Sequence, residues 1–317
     1  MFLIKKIYIN RHFNAIIVLG CGYMGRRRKR RLKKKIKKFL IIFLIILIIV
    51  VSTNIYFKAN KKEPTTNKKS ITIEDKINNE CKIIDYCKKN NLKRYVSYYN
   101  KNKDLSIEDI ITRVNLDLDY DFYDHTSKTP YLNKDYILVN KHLYVGEDYT
   151  PDDLEIIPEE YARSGMRLVK NAKEAFVSMA RSARKDDKPI IAMSSYRSYN
   201  YQEKLFEKYK ETDGIEDADT YSARAGFSEH QTGLCVDIYD GDLDYTNFEE
   251  SDSFKWMEDN AYKYGFILRF PKDKENITGY IYESWHYRYV GKKIAKYIHE
   301  HDITFEEYYA KNIDGKR

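Results

Sequence analysis

"SEHQTGLCVDI", residues 228–238, places a histidine and an aspartate seven positions apart around a single glycine. A catalytic zinc takes three protein ligands, usually imidazole nitrogen or carboxylate oxygen, and keeps a further position open. His230 and Asp237 could supply two of the three. In a straight strand their odd spacing would put them on opposite faces, so convergence requires a turn at Gly233. Alone, the pair reads equally well as an exposed loop histidine beside an unrelated surface aspartate. Partners must be found elsewhere in the chain.

The second stretch is "YESWHYRYVG", residues 282–291, in which Glu283 and His286 stand three apart. An unbroken strand would separate these side chains too, so a bulge or bend near Ser284 is required. The competing pattern is a strand whose Trp285, Tyr287 and Tyr289 are core and whose charged residues are surface. Of the other histidines, His12 lies before the long apolar run, His299 and His301 belong to a polar C-terminal helix region, and His125 and His142 lack an acidic-histidine context. Elimination points to His286 as the third ligand. A third stretch, "SSYRSYNYQ" (residues 194–202), puts Arg197 at a strand end and Gln202 on the following helix. A forked donor and an amide so placed can meet an anionic ligand, although a solvated arginine at a helix start has the same pattern.

Together, "SEHQTGLCVDI", "ESWHYRYVG" and "SYRSYNYQ" resemble the zinc D-alanyl-D-alanine carboxypeptidases of the VanY type, within the larger LAS group that also holds lysostaphin-like peptidases and the hedgehog signalling domain. The blocks "ILVNKHLYVGEDYTPDDLE" (137–155) and "NAYKYGFILRFP" (260–271) extend the resemblance over roughly residues 105–300. It implies zinc held by His230, Asp237 and His286, with Glu283 as general base. It also implies that Arg197, Gln202 and Ser228 contact substrate. Two positions depart from the pattern: Cys235 stands where alanine is usual, and Ala225 precedes Gly226 where proline is frequent. Cys235 is read as a small buried side chain, the alternative being a thiol that perturbs the metal site.

The formal charge of +8 is misleading. Residues 1–38 carry 14 of the 56 Lys/Arg and none of the 48 Asp/Glu, so positions 39–317 are net acidic at −6. No basic nucleic-acid footprint remains in that part. The basic run "RRRKRRLKKKIKK" (26–38) leads directly into "FLIIFLIILIIVVSTNIYF" (39–57), 19 residues with an unbroken Ile/Leu-rich core. At about 1.5 Å per residue that length just spans a bilayer core of about 30 Å. Cationic flanks stay cytoplasmic, which places residues from 58 onward outside the membrane. A cleavable signal peptide competes with an uncleaved anchor, but no small-x-small cleavage site follows the apolar run. Either Met1 or Met24 could be the start. Cys81 and Cys87 either pair in the external part or remain two free thiols.

The expected organisation is a basic cytoplasmic tail (1–38), a transmembrane anchor (39–57), a linker and helical stalk (58–104), a zinc carboxypeptidase domain (105–305) and a C-terminal tail (306–317). The tether covers residues 58–75, two helices are expected over 76–115, and apolar spacing predicts one long amphipathic helix over 159–185. "KPIIAMSS" (188–195) reads as a buried strand, 199–211 as a helix, and 247–264 as a helix closed by Gly265. "FILRF" (266–270) and residues 279–290 read as strands, followed by a helix over 292–300. Such a mixture without regular βαβ alternation implies an α+β fold on a small antiparallel sheet with flanking helices.

The resemblance and topology imply a membrane-anchored, extracytoplasmic carboxypeptidase that removes terminal D-Ala from peptidoglycan stem peptides. The alternatives are an L,D-carboxypeptidase trimming tetrapeptide stems, or a non-catalytic zinc-binding cell-wall module. Oligomeric state cannot be read from the sequence.

Overall fold

A computed structural model describes residues 26–60, 71–242 and 244–314. The expected start at Met1 or Met24, His12, Cys21 and most of the tether lie outside the described residues. Two units are compact by themselves, residues 1–70 and 71–317. The described part of the first is helix α1 (Arg26–Ala59), and its apolar segment is long and apolar enough to cross a membrane, with no residue buried by protein.

The second unit opens with helices α2 (Ile73–Glu80), α3 (Leu92–Lys101) and α4 (Ile107–Asn115), which is one helix more than the sequence reading over 76–115. Thr72 and Ser106 cap α2 and α4 by accepting from the backbone N–H groups of Asp75 and Asp109. Ile77, Tyr95, Ile110, Ile111 and Val114 bury themselves in one common cluster. A boundary at 104/105 would cut that cluster, so the expected stalk is not separate from the domain behind it. Cys81 and Cys87 form a disulfide between α2 and α3.

Short strands follow: β1 (Ser127–Lys128) pairs with β2 (Leu143–Tyr144), and β3 (Leu154–Ile156) pairs antiparallel with β4 (Arg167–Val169). The predicted helix over 159–185 begins only at Lys170, as α5 (Lys170–Lys185). Gly165, at φ 80°, turns the chain, and β4 then occupies the segment where Met166 and Val169 had extended the helical stripe. The remaining stripe residues, Ala172, Phe176, Met179, Ala180 and Ala183, are buried as expected.

The central sheet has the order β5-β6-β8-β7, antiparallel throughout, from β5 (Ile191–Ser194), β6 (Cys235–Tyr239), β7 (Phe266–Leu268) and β8 (His286–Tyr289). Alternation along β6 and β8 divides its faces. Val236, Ile238 and Tyr287 enter the main core with Phe176 and Met179 of α5. Cys235, Asp237, His286 and Arg288 occupy the other face, with Cys235 opposite Arg288 and Asp237 opposite His286. The fold is therefore the expected α+β arrangement on a small antiparallel sheet.

Helices α6 (Tyr199–Asp213) and α7 (Ile215–Tyr221) lie between β5 and β6 in the chain. The predicted helix over 247–264 is broken into a 3₁₀ turn (Tyr245–Glu250), α8 (Asp252–Asn260) and a second 3₁₀ turn (Ala261–Tyr264). Ser251 interrupts it by accepting from the Phe254 N–H as a new cap, and Gly265, at φ 93°, ends it as expected. The predicted strand over 279–290 is ordered strand only at β8, because turns at residues 284–285 precede it. Helix α9 (Glu275–Thr278) occupies the connection from β7.

After α10 (Lys292–His301) the chain does not trail off as a tail. Thr304 opens helix α11 (Phe305–Asn312) with a reciprocal capping box to Glu307. Phe305, Tyr309 and Ala310 pack with Ile267, Val290, Ala295 and Ile298. Glu306 is fully buried and accepts from Arg269 through Nη1 at 2.9 Å and Nη2 at 2.5 Å. Arg269 Nε and Arg288 Nη1 both donate to Glu229 Oε1 at 2.8 Å. Two buried arginines thus balance two buried glutamates. Glu306→Gln leaves one positive charge without its counter-ion and is expected to cost about 3–5 kcal/mol of folding stability. Urea unfolding of the purified chain measures this, and a loss below about 1 kcal/mol would show that the quartet does not hold α11 in place.

Candidate metal centre and cleft

Gly233 does what the spacing required. Its φ of 67° turns the chain out of the 3₁₀ segment Glu229–Thr232 and into β6. A Cβ there would stand 2.8 Å from Leu154 Cδ2, so both conformation and space favour glycine. His230 approaches from this turn, while Asp237 and His286 are cross-strand neighbours. The bend expected near Ser284 is also present: Glu283 precedes the turn, and the His286 N–H points back to its carbonyl at 3.4 Å.

The four side chains converge. His230 Nε2 lies 3.3 Å from Asp237 Oδ2, and His286 Nδ1 lies 3.1 Å from Asp237 Oδ1 and 3.4 Å from Glu283 Oε2. All four residues are buried. His230 Nδ1 contacts the Ser195 carbonyl at 2.6 Å; with Nδ1 as the donor, the Nε2 lone pair is left facing the cluster. Arg197 Nη2 donates to Asp237 Oδ2 at 2.7 Å, and its Nε and Nη2 also donate to Ser194 Oγ.

The electrostatics of the cluster favour positive charge on its histidines. Burial alone would neutralise the histidines, yet Cys235 and Asp237 hold His230 up at about 9, and His286 is raised well above its ordinary value by the same kind of neighbours. Against burial, the histidines and Arg197 hold Asp237 well below the usual carboxylate range. Burial, with the Asp237 charge adding to it, raises Glu283 to about 7. Asp237 Oδ1 inside the cluster nevertheless has no hydrogen-bond partner, and His286 Nε2 has none on the side that faces Glu229. Buried polar atoms left unpaired call for an ion or water, and two imidazoles with a carboxylate are a donor set that suits zinc.

Other expected residues fall at the same place in different ways. Arg197, Gln202 and Ser228 line a cleft of about 300 Å³ together with His230, Asp237, Glu283 and His286. Gln202 is buried, and its amide nitrogen is used on the Ala223 carbonyl at 2.8 Å, which leaves Oε1 without a partner. Ser228 is buried at the start of the 3₁₀ turn and makes no capping bond.

One residue was missed as a member of the site, and for another, Cys235, the alternative reading of a thiol near the metal site is the one its position favours. Glu229 places Oε2, which has no hydrogen-bond partner, 3.8 Å from His286 Nε2. The available signal was a pair of arginines, Arg269 and Arg288, inside apolar strand sequence, where a buried charge demands a partner. Cys235 is fully buried as expected, but its sulfur lies in the cluster: Cys235 Sγ and one nitrogen from each of His230 and His286 fall within 4.8 Å of one another.

The family model described as D-alanyl-D-alanine carboxypeptidase, VanY, matches residues 165–292, which enclose every candidate site residue. A bifunctional D-Ala-D-Ala dipeptidase and D-Ala-D-Ala carboxypeptidase of Enterococcus gallinarum, VanXYC, is 31% identical over 177 residues, covering 54% of this chain and 92% of that protein. The chain belongs to the VanY family. The Bacillus subtilis protein YodJ is 43% identical over 184 residues, covering 55% of this chain; the match spans 66% of its length, slightly under two thirds. Among solved structures, the LdcB LD-carboxypeptidase superposes with a TM-score of 0.53 at 39% identity, covering 59% of this chain and 91% of that one. The VanY-family likeness is thus carried by the sheet, the cleft and the helices around them.

Proposed function

We propose that this VanY-family chain is a membrane-anchored, extracytoplasmic zinc carboxypeptidase that removes the terminal D-Ala from peptidoglycan stem peptides. The observation that carries the reading is the buried convergence of His230, Asp237, His286 and Glu283 at one cleft. His230, Asp237 and His286 hold the metal. Zinc in that position supplies a Lewis acid for the scissile carbonyl and acidifies water toward a pKa of about 7.

The chain's own groups do the remaining work. Glu283, whose carboxyl burial raises to about 7, is poised to accept a proton from the attacking water near neutral pH and to return it to the leaving amine. Arg197 is held by Ser194 and Asp237, with its side chain still partly exposed at the cleft, and presents remaining donors to a negatively charged oxygen of the substrate. Gln202 offers its unpaired Oε1, and Ser228 its hydroxyl, to the peptide's polar groups. The intact base argues against a wall-binding module without chemistry. A second reading, an L,D-carboxypeptidase acting on tetrapeptide stems with the same groups, is favoured by the likeness to LdcB.

Topology is part of the proposal. The basic run 26–38 precedes the apolar stretch of α1, and such charge stays cytoplasmic. The Cys81–Cys87 disulfide in the second unit suits an oxidising exterior. Protease added to intact protoplasts is expected to release residues of the second unit, and full protection while known surface proteins are shaved would reverse the orientation.

Base and ligand are separable by mutation. Glu283→Gln keeps the shape and the zinc but removes the proton acceptor, so D-Ala release from a synthetic pentapeptide should fall by about 10²–10⁴-fold or more. His286→Ala should lose zinc and turnover together. Near-normal turnover in Glu283→Gln would assign the proton transfer to another group, and loss of its metal would make Glu283 a ligand.

A further inference from the structure

Cys235 is the one free cysteine among the described residues, and it is fully buried. The two-residue period of β6 puts it on the same sheet face as Asp237, two residues along from the Asp237–His286 pair. Its Sγ forms, with a nitrogen of His230 and a nitrogen of His286, a set of donors that lie within 4.8 Å of one another. On a tetrahedral zinc, sulfur at about 2.3 Å and nitrogen at about 2.1 Å stand about 3.6 Å apart. The set would therefore draw in by up to about 1.2 Å to share an ion.

A second observation points to an ion at this place. Asp237 Oδ1, in a residue more than nine-tenths buried and facing His286 Nδ1 at 3.1 Å, has no hydrogen-bond partner. Placed this near the deficit, a cysteine need not serve as filler alone. A thiolate beside two imidazoles and a carboxylate instead completes a donor set of the kind zinc prefers, with a soft ligand added.

We propose that Cys235 is a fourth protein donor to the metal of this site, bound as the thiolate. The inference rests on the zinc reading of His230, Asp237 and His286 given above. On binding, the S–H bond gives way to a metal–sulfur bond, and the proton leaves to solvent. An added sulfur donor would tighten metal retention.

The test uses the full chain, stripped of metal and loaded with Co²⁺, and reads its absorption spectrum in parallel with Cys235→Ala and Cys235→Ser. The wild type should show visible d–d bands together with a near-ultraviolet sulfur-to-cobalt charge-transfer band. Both variants should keep the visible bands, lose the near-ultraviolet band and bind zinc on the order of tenfold more weakly or worse. Visible bands without a sulfur band in the wild type would overturn the role of Cys235 and leave the three-ligand site standing. A sulfur band that persists in Cys235→Ala would assign it to another thiol, such as Cys21, and equally overturn the proposal. Absence of bound cobalt from the wild type would remove the metal reading itself.

Discussion

The pairing of β6 with β8 is the constraint on which the site depends. Asp237 stands opposite His286, and the same register puts Val236 against Tyr287. Because side chains alternate along a strand, one alignment both fills the core and gathers the polar groups. A slip of one residue would send Asp237 into the packing of α5 and Val236 into the cleft. The apolar face is thus what fixes the chemistry of the polar face, and His230 is added to it by the turn at Gly233.

Burial of so many ionisable groups is offset by pairing on both sides of the cluster. Behind His286, Glu229 accepts from Arg269 and Arg288, and Glu306 of α11 closes the quartet around Arg269. Against their burial, the two guanidinium groups hold Glu229 far below the ordinary carboxylate range. In front, Arg197 is tied to Asp237 and Ser194. A framework charged on this scale is costly to leave half-satisfied, which gives the terminal helix a structural purpose in a domain whose chemistry lies elsewhere.

Much of this was legible in the sequence, and the reasons for the rest are physical. The odd spacing of His230 and Asp237 demanded a turn, and Gly233 supplied it; the bend at Ser284 followed from Glu283 and His286 in the same way. The α+β class followed from the mixture of strand and helix patterns. Helix boundaries were less legible, because Met166 and Val169 fit a helical stripe but are used by a turn and β4. The C-terminal segment read as a tail, since nothing local announces that Glu306 meets Arg269. Cys235 was legible as buried from its strand, whereas its approach to the histidines depends on which face the register exposes. Glu229 was hidden by standing beside a more conspicuous neighbour.

The central claim is that this cleft cleaves the carboxyl-terminal residue from a stem peptide with the help of a metal. Incubation of the zinc-loaded full chain with synthetic penta- and tetrapeptide stems, followed by identification of the amino acid released, tests it most directly. D-Ala is expected from the pentapeptide, and its release should cease when a chelator removes the metal. Release from neither peptide by protein that carries stoichiometric zinc, or release undiminished in its absence, would contradict it.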